Sequence, residues 1–248
     1  PLVKHSALIL ENQELQQRIR PQRVEFYSIN FNNTLHWQPG RVGKGEDITY
    51  FVQYKVFEPD KGNYSVPPAV NQHPHCCSKG IYGQSSWKNK EECWQIHKSL
   101  CDLTYETSDV REPYYSRVKS VSAGVHSNWT VSCRFTPWRE TIIGPPSVTV
   151  TPRNGSIMLK LKAPSSPYKR KKGSKISMAQ FYHLLYQVFL INNLPNEKHK
   201  MLVYEGTDKV FKIENLKPGV SYCIVAKIFV AVLDRSSAYS SKECAVPL

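Results

Sequence analysis

The sequence predicts an all-β chain of two tandem β-sandwich domains joined by a rigid elbow. Three observations predict it. First, Trp129–Phe135 and Ser147–Thr151 both alternate in the manner of strands, and the segment between them carries Pro137, Gly144, Pro145 and Pro146. Proline fixes φ and cannot donate to a ladder, so the connection is stiff. Second, that connection is not a Ser/Gly tether, because Phe135, Trp138, Ile142 and Ile143 favour burial. Third, alternating runs bounded by turn residues recur on both sides of it.

Length and composition agree with this division. A chain of 248 residues is long enough for two domains of about 100–150 residues each. Hydrophobic residues make up 40% and aromatics 11%, enough for two cores. The net charge is +13. That sign suits an acidic protein, an anionic polysaccharide or nucleic acid. No finger spacing, recognition helix or aromatic-glycine RNA signature accompanies it, so nucleic acid is not the expected partner. Seven cysteines and four Asn-x-Ser/Thr acceptors, at Asn32, Asn63, Asn128 and Asn154, point to a secreted glycoprotein. No run approaches the roughly 20 apolar residues of a membrane span. The chain ends at Leu248 without an anchor, which reads as a secreted protein or the outer part of a receptor.

Residues 1–20 do not match the β pattern and are read as a poorly ordered extension. Ala7–Leu10 is too short for a signal core and lacks a small-residue cleavage site, so the signal sequence is expected to be missing or degenerate. Leu8, Leu15 and Ile19 mark at most a weak helical stripe. The first domain is assigned to 21–136. Val24–Phe31 alternates, Thr34–Gln38 ends at Pro39-Gly40, and Ile48–Val56 is rich in β-branched and aromatic residues. Trp37 beside the Pro-Gly turn suits the inner face of a fibronectin type III-like sandwich.

Residues 57–81 have no period and read as an inserted loop. His73, His75, Cys76 and Cys77 within it lack a second ligand pair at a zinc-like spacing, so no metal is assigned. Cys93 and Cys101 are close enough for a local disulfide. Tyr114–Ser122 alternates with Arg117 and Lys119 outward, and Trp129–Phe135 closes the domain. Residues 137–146 form the elbow.

The second domain, 147–248, repeats the plan. Ser147–Thr151, Ile157–Leu161, Phe181–Ile191, Leu202–Tyr204, Val210–Ile213 and Ser221–Val230 read as strands. Glu214–Tyr222 places a Leu and a Pro-Gly turn before a Tyr entering a strand, the pattern of a tyrosine corner. Cys223 and Cys244 can clamp the end of the domain. Cys76, Cys77 and Cys133 are left without evident mates, and an odd count predicts a free or intermolecular thiol. Cys133 reads as a buried free thiol, with a link to the insertion left open. Tyr168–Lys175 is the densest basic run, read as a solvated loop or a heparan-type polyanion contact.

Catalytic signatures are absent. There is no GxSxG, HExxH, GxxxxGK[ST] or GxGxxG, and paired sandwiches bind through loop tips. A binding protein, not an enzyme, is expected, with no cofactor.

The cysteine pairs and the Thr141–Pro146 run TIIGPP resemble the class II cytokine receptors, the family of the interferon and interleukin-10-type receptors and of tissue factor. So do PQRVEFYSINFNNTLHWQPGR, YFVQYK, YGQSSWKNKEECW, CDLTYETSDVREPYYSRV, RFTPWRETIIGPP, FYHLLYQVFLINN, VYEG and SYCIVAKI. The resemblance covers residues 21–248 apart from the insertion. It implies tandem fibronectin type III-like domains that present loops to a helical cytokine. Within the family the runs are most similar to a soluble single-chain decoy, which implies a monomer that sequesters interleukin-22. A membrane-anchored receptor ectodomain and a tissue-factor-like protease cofactor are the alternatives. Carried over by position, the cytokine contacts fall at Tyr82 and Gly83, at Thr107, Ser108 and Asp109, near Lys172–Lys175, and at the Val232–Arg235 turn with Leu233, Asp234 and Arg235. Tyr82 has the chemistry of an anchor. The insertion just before it is expected to disturb this loop.

Overall fold

A computed structural model describes residues 2–41, 43, 45, 47–57, 86–191 and 200–248. The chain divides into two compact units. One comprises Pro1–Ser28 and Asn32–Glu140, the other Ile29–Phe31 and Thr141–Leu248. Both are built of strands. Most of the 57–81 insertion, with Asn63, His73, His75, Cys76, Cys77, Tyr82 and Gly83, lies outside the described residues.

The first unit opens with a helix, α1 (Leu2–Arg18), where no regular structure was expected. Its last turn is held by groups about a hundred residues away. Ile19 is fully buried, and Ser120 Oγ donates to its carbonyl. Arg20 Nε donates to Thr130 Oγ1 at 3.0 Å, and Gln16 Nε2 to the His126 carbonyl at 2.8 Å. The Arg41 amide donates to the Arg18 carbonyl, and a Cβ on the neighbouring Gly40 would meet that carbonyl oxygen at 2.4 Å. Glycine is required there for close approach.

Two antiparallel sheets follow. β1 (Gln22–Ile29), β2 (Asn32–Gln38) and β5 (Leu100–Asp102) form one, in the order β1-β2-β5. The other joins β3 (Thr49–Val56), β4 (Lys88–Ile96) and β6 (Tyr114–Ser122) in the order β4-β3-β6, with the short β7 (Val125–His126) and β8 (Thr130–Val131) also on β6. Period-2 alternation turns Leu35, Val52 and Val118 inward, each fully buried, and Leu103, just past the end of β5, is fully buried with them. Trp37 and Tyr50 meet edge to face at 5.3 Å beside the Cys93–Cys101 disulfide. On the outer face the Arg117 guanidinium lies between Trp87 and Trp129, 4.3 and 4.5 Å from their ring centres. The expected Trp129–Phe135 strand is shorter, ending as β8 and a single bridge from Phe135 to Tyr114. Cys133 is disulfide-bonded, which corrects its reading as a free thiol; its partner lies outside the described residues. Pro137 then starts a helical turn, α2 (Pro137–Glu140), at the position where its missing N–H costs nothing.

The second unit has β9 (Ser147–Arg153) and β10 (Ser156–Lys162) joined by an Asn154-Gly155 turn. A hairpin of β11 (Ser165–Lys169) and β12 (Lys175–Ser177) follows. Next come β13 (Leu185–Ile191), β14 (Lys200–Gly206), β15 (Val210–Ile213), β16 (Tyr222–Val230), β17 (Arg235–Ser236) and β18 (Glu243–Ala245). The sheets run β15-β10-β9 and β14-β13-β16-β17, with β18 also on β16. Ile157, Leu159, Val188, Ile224 and Ile228 fill the space between them, fully buried. Cys223 and Cys244 face each other across β16 and β18 and are bonded. The Lys217 amide donates to the Tyr222 hydroxyl at 3.1 Å, completing the tyrosine corner.

Residues 181–184 were expected to extend β13. A 3-10 turn at Met178–Gln180, capped by the Ser177 hydroxyl, precedes them instead. This places Phe181 and Tyr182 against Phe31, with ring centres at 4.8 and 5.9 Å. Asn30 and Phe31 have φ of 50° and 65°. The left-handed conformation costs roughly 1–2 kcal/mol per residue. Full burial of the Phe31 ring returns about 1.5–3 kcal/mol, and the Asn30 side chain accepts from the Gly144 amide at 2.8 Å. Burial and that bond hold the strained turn.

Candidate functional site

The first unit presents a loop between β5 and β6, residues 103–113, fixed from both ends. Asp102 Oδ1 accepts from the Thr104 amide at 2.9 Å, turning the chain as it leaves β5. The fully buried Asn33 is the hub behind it. Its amide donates to Thr104 Oγ1 at 3.0 Å, its carbonyl accepts from the Leu103 amide at 2.9 Å, and its Nδ2 donates to Thr107 Oγ1 at 2.8 Å. Ser28 Oγ donates to its Oδ1. Thr107 is itself fully buried and donates from Oγ1 to the Leu103 carbonyl. Thr107 therefore shapes the loop from beneath, with its hydroxyl engaged by Asn33 and the Leu103 carbonyl.

Ser108 and Asp109 are exposed on the outer side of the same turn. The Asp109 carbonyl accepts from the Glu112 amide at 3.1 Å and the Tyr114 hydroxyl at 3.0 Å. Tyr114 is 2% exposed. Burial, then the nearby Asp109 and Glu112 carboxylates, push its phenol up to about 12. The far end is closed by the Trp138 amide, which donates to the Val110 carbonyl at 2.8 Å, and by Arg111 stacked 4.0 Å over the Trp138 ring.

Tyr105, at the start of the loop, is 67% exposed, and Leu100 beside the Cys93–Cys101 disulfide is 44% exposed. Together they line a shallow cleft with Ile96 and Glu106. Lys90 braces its floor, bonded to both Glu92 and Glu106. Burial alone would lower the Lys90 pKa, but these two carboxylates outweigh it and leave it raised. An exposed aromatic ring on a rigid loop is a protein-binding feature. Tyr105 was not singled out from sequence; a tyrosine in a polar loop between a cysteine and the next strand is the signal that could have found it.

In the second unit, Leu233, Asp234 and Arg235 lie where β16 turns back into β17. Asp234 is left-handed, φ 47°, and its amide donates to the Ala231 carbonyl at 3.1 Å. Aspartate tolerates that conformation. Asp234 and Arg235 are exposed, Leu233 is half-buried, and the neighbouring Val232 is 65% exposed. Lys172 and Lys175 sit on the β11–β12 hairpin, both exposed. The acceptors Asn32, Asn128 and Asn154 are all exposed. Among the described residues no group of His, Cys, Asp and Glu is arranged to hold a metal, and no helix is long and apolar enough to cross a membrane.

Comparison with known proteins is consistent across both units. A family profile described as tissue factor matches residues 3–129, and one described as interferon-alpha/beta receptor, fibronectin type III, matches residues 141–247. Human interleukin-22 receptor subunit alpha-2 is 46% identical over 239 residues, 94% of this chain and 90% of that protein. Human interleukin-20 receptor subunit alpha is 34% identical over 91% of this chain, but over only 36% of that protein. Among solved structures, the chicken interferon gamma receptor alpha chain aligns with a TM-score of 0.57 at 19% identity, covering 92% of this chain and 98% of that one.

Proposed function

Because the chain belongs to the tissue factor and class II cytokine receptor family, we propose that it is a secreted decoy receptor that binds interleukin-22 and withholds it from the signalling receptor. The observation that carries this reading is the 46% identity to interleukin-22 receptor subunit alpha-2 along nearly the whole of both chains. The interleukin-20 subunit, by contrast, extends far beyond the aligned part. The disulfides suit an oxidising, extracellular setting.

The first-unit contacts are assigned to Tyr105, Ser108 and Asp109. Their loop is ordered by Asn33, Thr107 and Tyr114 before any ligand arrives, which lowers the entropy lost on binding. Tyr105 acts as the anchor and Asp109 pairs with a cytokine cation, contributing more to on-rate than to affinity. Tyr82 and Gly83 belong to the same proposal on sequence grounds. The second-unit contacts are Leu233, Asp234 and Arg235, with Val232 as their apolar neighbour. Lys172 and Lys175 are left outside this surface, because lysine is depleted from interface cores and these two belong to a larger basic cluster.

Calorimetric titration with interleukin-22, paired with a cell reporter of interleukin-22 signalling, tests the reading. Binding with reporter inhibition supports it; no heat and no inhibition remove it. The tissue factor match over the first unit favours a protease-cofactor role as the second reading. Acceleration of a clotting protease by the purified chain would select it instead.

A further inference from the structure

We propose that the β11–β12 hairpin is a binding site for a sulfated polysaccharide of the heparan type. Five cations, Lys169, Arg170, Lys171, Lys172 and Lys175, crowd into seven residues of chain, and all are exposed. The surrounding sequence offers no compensation. From Thr141 to Asn196, 56 residues, there is no Asp or Glu, while eight Lys and Arg occur. Among the described residues none of the five cations takes part in an ion pair.

The fold holds these charges together. Lys169 and Lys175 are direct cross-strand partners. Like charges placed opposite each other destabilise a strand pair. The turn between them is nonetheless well made. The Arg170 amide donates to the Ser174 carbonyl at 2.9 Å, the Gly173 amide to the Arg170 carbonyl at 2.8 Å, and Gly173 supplies φ of 84°. Below, Ser166 Oγ donates to the Ile176 carbonyl at 2.9 Å. The repulsion is thus built into a hairpin braced by hydrogen bonds, and an external polyanion relieves it. Sulfate groups repeated along a polysaccharide match a row of cations. Arg170 can grip one sulfate through two N–H donors while the lysines act as point charges. Such a site would retain the protein at cell surfaces or matrix, and it does not depend on the cytokine reading.

The test compares three forms of the full chain on heparin-affinity chromatography and in titrations with a defined heparin oligosaccharide. They are the unaltered protein, the variant K169Q/R170Q/K171Q/K172Q/K175Q, and a charge-matched control, K98Q/K160Q/K209Q/K217Q/K242Q. The hairpin variant is expected to bind at least tenfold more weakly and to elute at lower salt, while the control keeps most of its affinity. Raising the salt should weaken binding of the unaltered protein steeply. If the five-site variant misfolds, K169Q/K175Q, which removes the facing pair alone, should still lower affinity severalfold. Equal losses in hairpin variant and control would overturn the proposal, leaving only net charge. Equal binding of a desulfated oligosaccharide, or of single-stranded DNA, would overturn it as well.

Discussion

The Tyr114 hydroxyl donates a 3.0 Å hydrogen bond to the backbone carbonyl of Asp109, five residues before it. The second unit has a counterpart at the same spacing, where the Tyr222 hydroxyl accepts from the Lys217 amide. In the first unit the bond closes the loop that carries Tyr105, Ser108 and Asp109. A buried ring thus fixes the shape of an exposed surface, and loop order and ligand binding should respond together.

Tyr114→Phe keeps the ring and removes the bond. It should cost about 1 kcal/mol of unfolding free energy in denaturant. It should also weaken interleukin-22 binding through a looser loop.

The raised Tyr114 phenol gives a pH signature. Its pKa lies near 12 in the folded chain against 10.0 ordinarily, so folding favours the protonated form. Its contribution to stability is complete below pH 10 and is lost as pH rises from 10 towards 12. Burial raises the phenols of Tyr50 and Tyr186 as well, so the signature is a difference: ultraviolet titration of Tyr114→Phe should lose one late-ionising phenol, near pH 12, relative to the unaltered chain.

Asn33→Ala strips the hub of the loop and leaves the Ser28 and Thr107 hydroxyls buried with fewer partners. The expected loss is about 2–3 kcal/mol of stability, with a matching fall in affinity. Tyr105→Ala should do the reverse. Its ring is exposed, so unfolding should shift by less than about 0.5 kcal/mol, while binding loses at least about 1 kcal/mol. Calorimetry and denaturant unfolding on both variants separate the two roles.

Gly40→Ala places a methyl group where the Arg18 carbonyl lies at 2.4 Å. The end of α1 should be displaced, exposing Ile19. Faster amide exchange at Arg41, whose N–H bonds that carbonyl, would register it.

Both sandwiches were legible because alternation, turn residues and cysteine spacing are local signals. The Tyr222 corner was legible for the same reason, since Leu216, Pro218 and Gly219 precede it. The Tyr114 corner was not, because its approach through Val110, Arg111, Glu112 and Pro113 has no Pro-Gly turn. Thr107 looked like a surface residue, and only Asn33, 74 positions away, makes it a buried one. The order of α1 depends on Ser120, His126 and Thr130, beyond any window that reads periodicity. Spacing pointed to the Cys93–Cys101 and Cys223–Cys244 pairs, but it could not decide between a free thiol and a bonded one for Cys133, which has no cysteine nearby in the chain.

The most direct test is a calorimetric titration of the purified chain with interleukin-22, repeated with Tyr105→Ala. The account predicts saturable binding that the substitution weakens by at least about fivefold, the equivalent of 1 kcal/mol. Absence of binding by the unaltered chain, or an identical isotherm for the variant, would contradict it.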